Sequence, residues 1–148
     1  MKNQIYTCLW FEKEAKQAAE FYCSIFKNSK IIQVTPAIVK FQLDGKLFMA
    51  LNNNQQSTFN VSISLVVECN TQEEIDHYWN KLSRGGEKQI GGRLKDKYGV
   101  SWQIVPTVLF KIISDPDKLF RLYKMFGKMK KPIIKKYMEI LNINPEIE

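Results

Sequence analysis

The most constraining feature of the sequence is that its second part repeats the pattern of its first. The aromatic pair Phe21-Tyr22 lies 57 residues before the pair Tyr78-Trp79. The string TCLWFE at 7–12 lies the same distance before SLVVEC at 64–69. Because self-similarity at a fixed spacing indicates duplicated supersecondary units, the fold has to accommodate two copies of one module.

The closing hairpins of the two copies agree as well. Gly45 precedes Gly99 by 54 residues, and LFMAL precedes WQIVP by 55. Within each copy, runs of β-branched and aromatic residues predict strands, and apolar residues at helical spacing predict one helix after the first strand. We therefore predict an α+β fold of two tandem βαβββ modules, at 4–52 and 61–106, which form a curved mixed sheet.

Local signals place several of these elements. Asp44-Gly45 between two apolar runs predicts a tight hairpin turn. Thr71 and Glu74 have the spacing of a capping box, which predicts that the second helix begins there. The predicted apolar face of the first helix contains Ala15, Ala18, Ala19, Tyr22 and Phe26.

Residues 107–148 lie outside the repeat. Asp115-Pro116 predicts one helix start and Pro132 a second, because proline is favoured in the first helical turn. The sequence thus predicts two amphipathic C-terminal helices as an extension of a single domain that spans residues 1–148.

Composition sets the broad class of the protein. The chain has 148 residues, of which 45% are hydrophobic and 25% charged, as in ordinary globular proteins. No apolar run reaches the length of a membrane span, and a charged residue comes too early for a signal-peptide core, so we expect a cytoplasmic protein. The three cysteines contain no C-x-x-C pair, which argues against a disulfide framework or a structural zinc site. We expect Cys8 and Cys69 to be buried.

The net charge of +7 leans toward the C-terminal part of the chain. Residues 108–148 carry nine basic and five acidic side chains. A nucleic-acid or anionic membrane surface is one interpretation, and a solvated face of the two helices is the other. We favour the solvated face, because acidic residues are interspersed and no stacking pattern is present, and we expect no nucleic-acid or membrane partner.

Several strings resemble one protein family over residues 4–140. They are LWF at 9–11, FMALN at 48–52, TQEEIDHYW at 71–79, KDKYGVSWQIVP at 95–106 and SDPD at 114–117. Together they resemble the PhnB-like branch of the vicinal oxygen chelate superfamily, which includes glyoxalase I and fosfomycin- and bleomycin-resistance proteins. The resemblance implies a glyoxalase-like fold of paired modules, and since such proteins usually pair across a two-fold axis, we predict a homodimer.

The PhnB-like branch is often labelled demethylubiquinone methyltransferase-like. Methyl transfer needs a site for S-adenosylmethionine, usually a glycine-rich turn after a first strand. This sequence has seven glycines and no G-x-G. We therefore expect no methyl transfer.

The resemblance also implies a divalent metal held by inward-facing His, Glu or Gln side chains. The matching positions here are Ile5, Phe48 to Ala50, Ser62 and Gln103. Only Gln103 is an ordinary ligand type, and one neutral amide does not offset the dehydration of a divalent cation. The sole histidine, His77, falls within the second helix. We predict neither a metal nor another cofactor.

A cavity of mixed character is then the candidate site. Strand periodicity and the superfamily positions predict that its lining includes Thr7, Leu9, Phe48, Ala50, Asn52, Ser62, Ser64, Ser101, Gln103 and Val105. These polar side chains could equally satisfy backbone groups or hold water. Two functions follow: a metal-free module that binds an unknown small organic molecule for sequestration or sensing, or a superfamily enzyme (lyase, isomerase or oxygenase-like) acting on a small vicinal-oxygen substrate. Asn52, Gln103 and a Lys or Arg from the glycine-rich segment 84–97 would be the electrophilic groups of the enzyme.

Overall fold

A computed structural model of the chain describes residues 2–56 and 58–142. The chain divides into two units, Met1–Thr58 and Phe59–Glu148. Each unit has its own four-stranded mixed sheet with a helix after the first strand, so the α+β fold with tandem βαβββ modules is confirmed. That residues 1–148 act as a single domain stays a prediction.

Unit 1 contains the first module. Its elements are β1 (Thr7–Phe11), α1 (Ala15–Ile25), β2 (Lys30–Val34), β3 (Ile38–Leu43) and β4 (Lys46–Asn52). The strand order is β1-β4-β3-β2, in which β1 runs parallel to β4 and the other pairs are antiparallel.

Unit 2 repeats this topology with shorter central strands. Its elements are β5 (Leu65–Cys69), α2 (Gln72–Leu82), β6 (Glu87–Lys88), β7 (Arg93–Lys95) and β8 (Ser101–Pro106). The strand order β5-β8-β7-β6 matches that of unit 1, again with the first and last strands parallel. The second module is predicted to begin at residue 61, but its first strand begins later, at Leu65.

The local start and turn signals are confirmed. Asp44 and Gly45 both have positive φ angles, 47° and 75°, as a two-residue hairpin turn of the primed type requires. The Thr71 side chain accepts a hydrogen bond from the Glu74 N–H at 3.2 Å, and the Glu74 carboxylate reaches back to the Thr71 N–H. These caps satisfy amides that the first helical turn leaves unpaired.

The first helix buries the face that its spacing predicted, with one exchange. Ala15, Ala18, Ala19 and Tyr22 of α1 are buried. Ile25 takes the place predicted for Phe26, because the helix ends at Ile25 and Phe26 has an extended backbone. On α2, the buried residues are Ile75, Trp79 and Leu82.

Three helices form the extension where two were predicted. They are α3 (Leu109–Ile112), a single turn, α4 (Pro116–Phe126) and α5 (Ile134–Leu141). Asp115 caps α4 by accepting the N–H of Asp117 at 3.0 Å, with Pro116 in the first turn. The helices bury their apolar stripes against one another around Ile112, Leu122, Met129, Tyr137 and Ile140.

Polar contacts join the extension to the module of unit 2. Gln72 on α2 donates to the Pro132 carbonyl at 3.1 Å and accepts from the Ile134 N–H at 2.9 Å. Lys131 forms an ion pair with Asp76 on α2 at 2.9 Å. The extension therefore packs as part of unit 2. No helix within residues 2–56 and 58–142 combines the length and apolarity needed to cross a bilayer.

Candidate functional site

The predicted site residues of unit 1 lie on the face of its sheet that packs against α1. Tyr22 on α1 stacks on Phe41 with 6.3 Å between ring centroids, and Phe41 stacks on its cross-strand partner Phe48 at 5.5 Å. Paired residues on neighbouring strands point to the same face, as do residues two apart along one strand. The register therefore adds four more residues to the α1 face: Thr7, Leu9, Ala50 and Asn52.

The sequence placed these five residues on the open face of the sheet, and that assignment is wrong because they lie on the face that α1 covers. Leu9 and Ala50 are buried, and Ala50 is 0% exposed. Whether any of the five contacts a ligand stays a prediction. Thr7 and Phe48 do border an open depression of about 400 Å³ at one end of the sheet, together with Tyr6 and Lys46.

Asn52 has a structural role at the start of α1. Its Oδ1 accepts the Ala15 N–H at 2.9 Å, and its Nδ2 donates to the Pro36 carbonyl at 3.1 Å. The residue at the N-cap of α1, Glu14, makes no side-chain cap hydrogen bond. Asn52 therefore supplies the cap from a neighbouring strand, and its amide is occupied by backbone groups.

A one-residue slip explains the inverted faces. The loop between β1 and α1 has three residues, 12–14, whereas the loop between β5 and α2 has two, 70–71. The helices align at a spacing of 57 residues, but the first strands therefore align at 58. Because side chains alternate along a strand, a slip of one residue exchanges the two faces.

In unit 2 the far face of the sheet, defined as the face opposite α2, carries Gln103. Trp102 and Ile104 are buried on the side of α2, which packs against β5, β7 and β8. Gln103 alternates with them and is paired with Val66 on β5 and Arg93 on β7. The far face thus contains Val66, Glu68, Arg93, Lys95, Ser101, Gln103 and Val105.

Gln103 is held by a side-chain hydrogen bond. Its Nε2 donates to the Ser64 Oγ at 2.8 Å, which leaves the Oε1 as an acceptor. Ser64 is half-buried and lies just before β5. Ser62, by contrast, lies in an exposed turn where its N–H donates to the Asn60 Oδ1 at 2.9 Å, so the prediction that it faces inward from a strand is wrong.

Ser101 is the unusual member of this face. It is 7% exposed, and its Oγ has no hydrogen-bond partner among the residues that the structure describes. A buried hydroxyl without a partner costs about 1–3 kcal/mol, so such groups in folded proteins usually meet a water or a ligand. Ser101 and Gln103 are two residues apart on β8 and share the same face.

The donor set of the far face does not fit the metal that the superfamily implies. Its oxygens come from the Gln103 amide, the Ser64 and Ser101 hydroxyls and the Glu68 carboxylate, and the cation Arg93 is the direct cross-strand neighbour of Gln103. Within the described residues no cluster of three His, Cys, Asp or Glu side chains could hold a metal ion. His77 lies exposed on α2, with its ring edge against Tyr78.

The cysteines do not provide a thiolate. Burial raises the pKa of the Cys69 thiol to about 12, with the Glu74 charge adding to the effect. Burial also raises the pKa of the Cys23 thiol, and that of Cys8 although a hydrogen bond with Trp10 opposes it. Cys8 is exposed, contrary to the expectation that it is buried, because it lies on the face of β1 opposite α1. Neutral thiols are weak nucleophiles and weak metal ligands.

Sequence reasoning missed the far face of unit 1, defined as the face opposite α1, and did not identify which charged residue neighbours Gln103. The far face of unit 1 includes Cys8, Trp10, Lys40, Met49 and Leu51. The 54-residue spacing from Gly45 to Gly99 contained the correct register, since it places Met49 opposite Gln103 in the alignment. Arg93 lies in the 84–97 segment from which a cation is expected, but only the pairing of β7 with β8 identifies it as the neighbour of Gln103.

Comparison with known proteins gives a consistent family. A family model described as 3-demethylubiquinone-9 3-methyltransferase matches residues 3–105. A solved structure of a Bacillus cereus protein, described as a putative 3-demethylubiquinone-9 3-methyltransferase, PhnB protein, is 33% identical, with a TM-score of 0.67, and the match covers 71% of this chain and 100% of that chain. No curated protein matches the chain.

More distant solved structures share the fold alone. A Pseudomonas aeruginosa protein is 18% identical over 71% of this chain and 98% of that chain, with a TM-score of 0.60. The fosfomycin resistance protein FosX from Listeria monocytogenes is 15% identical over 75% of this chain and 98% of that chain, with a TM-score of 0.54. The repeated βαβββ topology and the family match together show that the chain belongs to the PhnB-like, 3-demethylubiquinone-9 3-methyltransferase-like family.

Proposed function

We propose that this PhnB-like protein is a metal-free module that binds a small organic molecule for sequestration or sensing. The observation that carries the proposal is the polar group on the far face of unit 2. Gln103 is oriented by Ser64, and the buried Ser101 Oγ beside it has no partner among the described residues. A ligand oxygen or N–H that reaches Ser101 would recover the cost of that unpaired hydroxyl.

The far face indicates what such a ligand contains. The Gln103 Oε1 accepts a hydrogen bond, Ser101 can donate or accept one, and the Arg93 side chain adds cationic donors. Val66 and Val105 supply apolar contact on the same face. A small molecule with an apolar body and convergent hydroxyl or carbonyl groups matches this mixture.

The family description names methyl transfer, but the chain offers no support for it. The glycine pairs that follow α2 are structural. Gly92 has a φ of 77°, and a Cβ there would lie 2.5 Å from the Ile104 carbonyl oxygen. The Gly92 N–H donates to the Lys130 carbonyl, and the Gly92 carbonyl accepts from the Ile104 N–H. This glycine therefore connects β8 to the extension by backbone hydrogen bonds, which is a structural role and not that of a cofactor-binding loop.

The alternative function is a superfamily enzyme, and one observation favours it. Glu68 shares the face of Gln103, and Arg93 is the cross-strand neighbour of Gln103. A carboxylate that abstracts a proton beside a cation that stabilises an oxyanion is a minimal set for chemistry next to a carbonyl. In that case the wild type would convert the bound molecule into a product with a different NMR spectrum on incubation, and the Glu68→Gln variant would only bind it.

We also propose a homodimer. Each sheet leaves edge strands, β1 and β2 in unit 1 and β5 and β6 in unit 2, and exposed edges favour pairing with another chain unless they are protected. Val61 and Ile63 before β5 are exposed apolar side chains that a partner would cover. Light scattering at micromolar concentration should give twice the mass of the chain, and a monomer would contradict the proposal.

The cytoplasmic location and the absence of nucleic-acid and membrane partners stay predictions of the sequence.

The binding proposal is tested with a library of small carbonyl and hydroxyl compounds in a thermal shift assay. Compounds that stabilise the wild type should not stabilise the Gln103→Ala variant. The control is Gln33→Ala, since Gln33 is exposed on β2 and its loss leaves the far face of unit 2 intact. If the same compounds stabilise the Gln103→Ala variant as well as the control, the far face is not the binding surface.

A further inference from the structure

A cavity of about 190 Å³ lies where the extension meets the carboxyl ends of β5 and β8. Its lining is divided between the module and the extension: Cys69, Asn70, Pro106, Thr107, Val108, Lys111, Ile134 and Met138. The family match ends at residue 105, so most of this lining belongs to a part of the chain that the family model does not cover. None of these lining residues belongs to the far face of the sheet, so the cavity is separate from that face.

The floor of the cavity is apolar. Cys69 and Pro106 are buried at the ends of their strands, and Ile134 and Met138 of α5 are half-buried above them. Burial and the Glu74 charge keep the Cys69 thiol neutral, with a pKa of about 12. A neutral thiol behaves as a small hydrophobic group, so the floor suits a hydrocarbon.

The rim of the cavity is polar and carries one cation. The Thr107 hydroxyl donates to the Asn70 Oδ1 at 3.0 Å, which leaves the Asn70 Nδ2 as a donor. Lys111 is the charged residue of the lining, and it has no ion-pair partner within the described residues. Two other lysines of this unit do have such partners, since Lys118 pairs with Asp115 and Lys131 pairs with Asp76, each at 2.9 Å.

We propose that this cavity binds a small monocarboxylate, with its alkyl chain on the Cys69–Met138 floor and its carboxylate at Lys111 and Asn70. At about 30 Å³ for each water-sized group, the cavity holds about six such groups, which matches a chain of roughly four to six carbons. Lys111 sets the orientation, because it is the charged residue of the lining and draws the carboxylate to the rim, which leaves the alkyl chain on the apolar floor.

Hexanoate is the probe for this site. Titrated into the full-length, uniformly ¹⁵N-labelled protein, it should shift the amide signals of Cys69, Asn70, Thr107 and Lys111 along saturable curves. The uncharged analogue 1-hexanol should bind more weakly, because it fills the floor without engaging Lys111. The absence of saturable shifts at these amides, or equal binding of hexanol and hexanoate, would overturn the proposal.

Substitution of the cation completes the test. The Lys111→Gln variant should weaken hexanoate binding about two- to fivefold, the range for an exposed ion pair, and leave hexanol binding unchanged. The matched control is Lys135→Gln, which removes the same charge from an exposed position on α5 that does not line the cavity. If both variants weaken binding equally, the effect is general electrostatics and the assigned site is wrong. Loss of hexanoate binding here with intact far-face binding would leave the proposed function untouched.

Discussion

The two sheets have the same topology, but their far faces carry side chains of different chemical character. At equivalent positions, Cys8, Trp10 and Met49 of unit 1 stand where unit 2 has Val66, Glu68 and Gln103. Both far faces carry a cation at the equivalent place, since Lys40 is the cross-strand neighbour of Met49 and Arg93 that of Gln103. The duplication preserved the scaffold, whereas the Glu68 carboxylate and the Gln103 amide replace an aromatic ring and a thioether in unit 2 alone.

The helix-covered faces differ much less. Phe48 and Ala50 of unit 1 correspond to Trp102 and Ile104 of unit 2, and all four lie on the helix side of their sheets. Packing against a helix requires apolar side chains at these positions in both copies. The far faces are free of that constraint, so it is there that the two units have diverged.

The comparison predicts its largest effect for two tryptophans on opposite kinds of face. Trp102 is 3% exposed and its Nε1 donates to the Asp96 Oδ2 at 2.9 Å, whereas Trp10 is 49% exposed. Trp102→Ala should lower the free energy of unfolding by about 3–5 kcal/mol, because it opens a cavity and leaves a buried carboxylate short of a donor. Trp10→Ala should cost less than about 1 kcal/mol. Urea unfolding measures both, and equal losses would contradict the assignment of faces in unit 1.

A smaller difference in unfolding free energy is expected between substitutions of Asn52, at the end of β4, and Gln103, within β8. Asn52→Ala should lower the free energy of unfolding by about 1–2 kcal/mol, because Ala15 loses its cap and the Pro36 carbonyl its donor. Gln103→Ala removes one hydrogen bond, to Ser64, and should cost about 1 kcal/mol or less.

The variant that costs less stability, Gln103→Ala, should have the larger effect on ligand binding. Gln103→Ala should abolish the stabilisation given by any bound small molecule, and Asn52→Ala should retain it. Thermal unfolding with and without ligand reports both quantities. A variant Asn52→Ala that folds normally but no longer binds would return Asn52 to the site.

The smallest effect concerns pH and the contact between α2 and the extension, which has no counterpart in unit 1. A hydrogen bond from Lys131, and then one from Gln72, lowers the pKa of Asp76. Its stabilising contribution is therefore present above the unfolded pKa of about 3.9 and is lost as the pH falls through the lower folded value. Since the pair is partly exposed, the contribution should be below about 1 kcal/mol.

The measurement for this prediction is the melting temperature as a function of pH. Asp76→Asn should melt slightly below the wild type at neutral pH, and the difference should vanish in acid. Lys131→Gln should behave in the same way, because it removes the other half of the pair. A difference that grows in acid would show that the sign is wrong.

The sequence predicted those parts of the fold that have local causes. The Asp44-Gly45 turn and the Thr71 capping box depend on residues a few positions apart, and the structure has both. The faces of unit 1 failed because the extra residue in the β1–α1 loop shifts β1 relative to α1 without changing the strings that were aligned. Ser62 failed similarly, since apolar residues at Val61 and Ile63 suggested strand alternation where the chain forms a turn.

Other features depend on contacts that the sequence does not contain locally. Arg93 is a neighbour of Gln103 only through the pairing of β7 with β8. Lys111 and Cys69 line the same cavity only because the extension packs against the module of unit 2. Neither follows from period or composition. Gln103 was identified correctly as the polar residue of its strand, because alternation within SWQIVP separates it from Trp102 and Ile104.

The measurement that tests the central claim most directly is native mass spectrometry of protein purified without added metal, compared between Gln103→Ala and Met49→Ala. Met49 and Gln103 occupy equivalent positions in the two sheets. The account predicts that the wild type and Met49→Ala retain a bound organic mass with no divalent-metal increment, and that Gln103→Ala loses it. One divalent metal per chain that disappears in Gln103→Ala, or an organic mass lost in Met49→Ala and kept in Gln103→Ala, would contradict it.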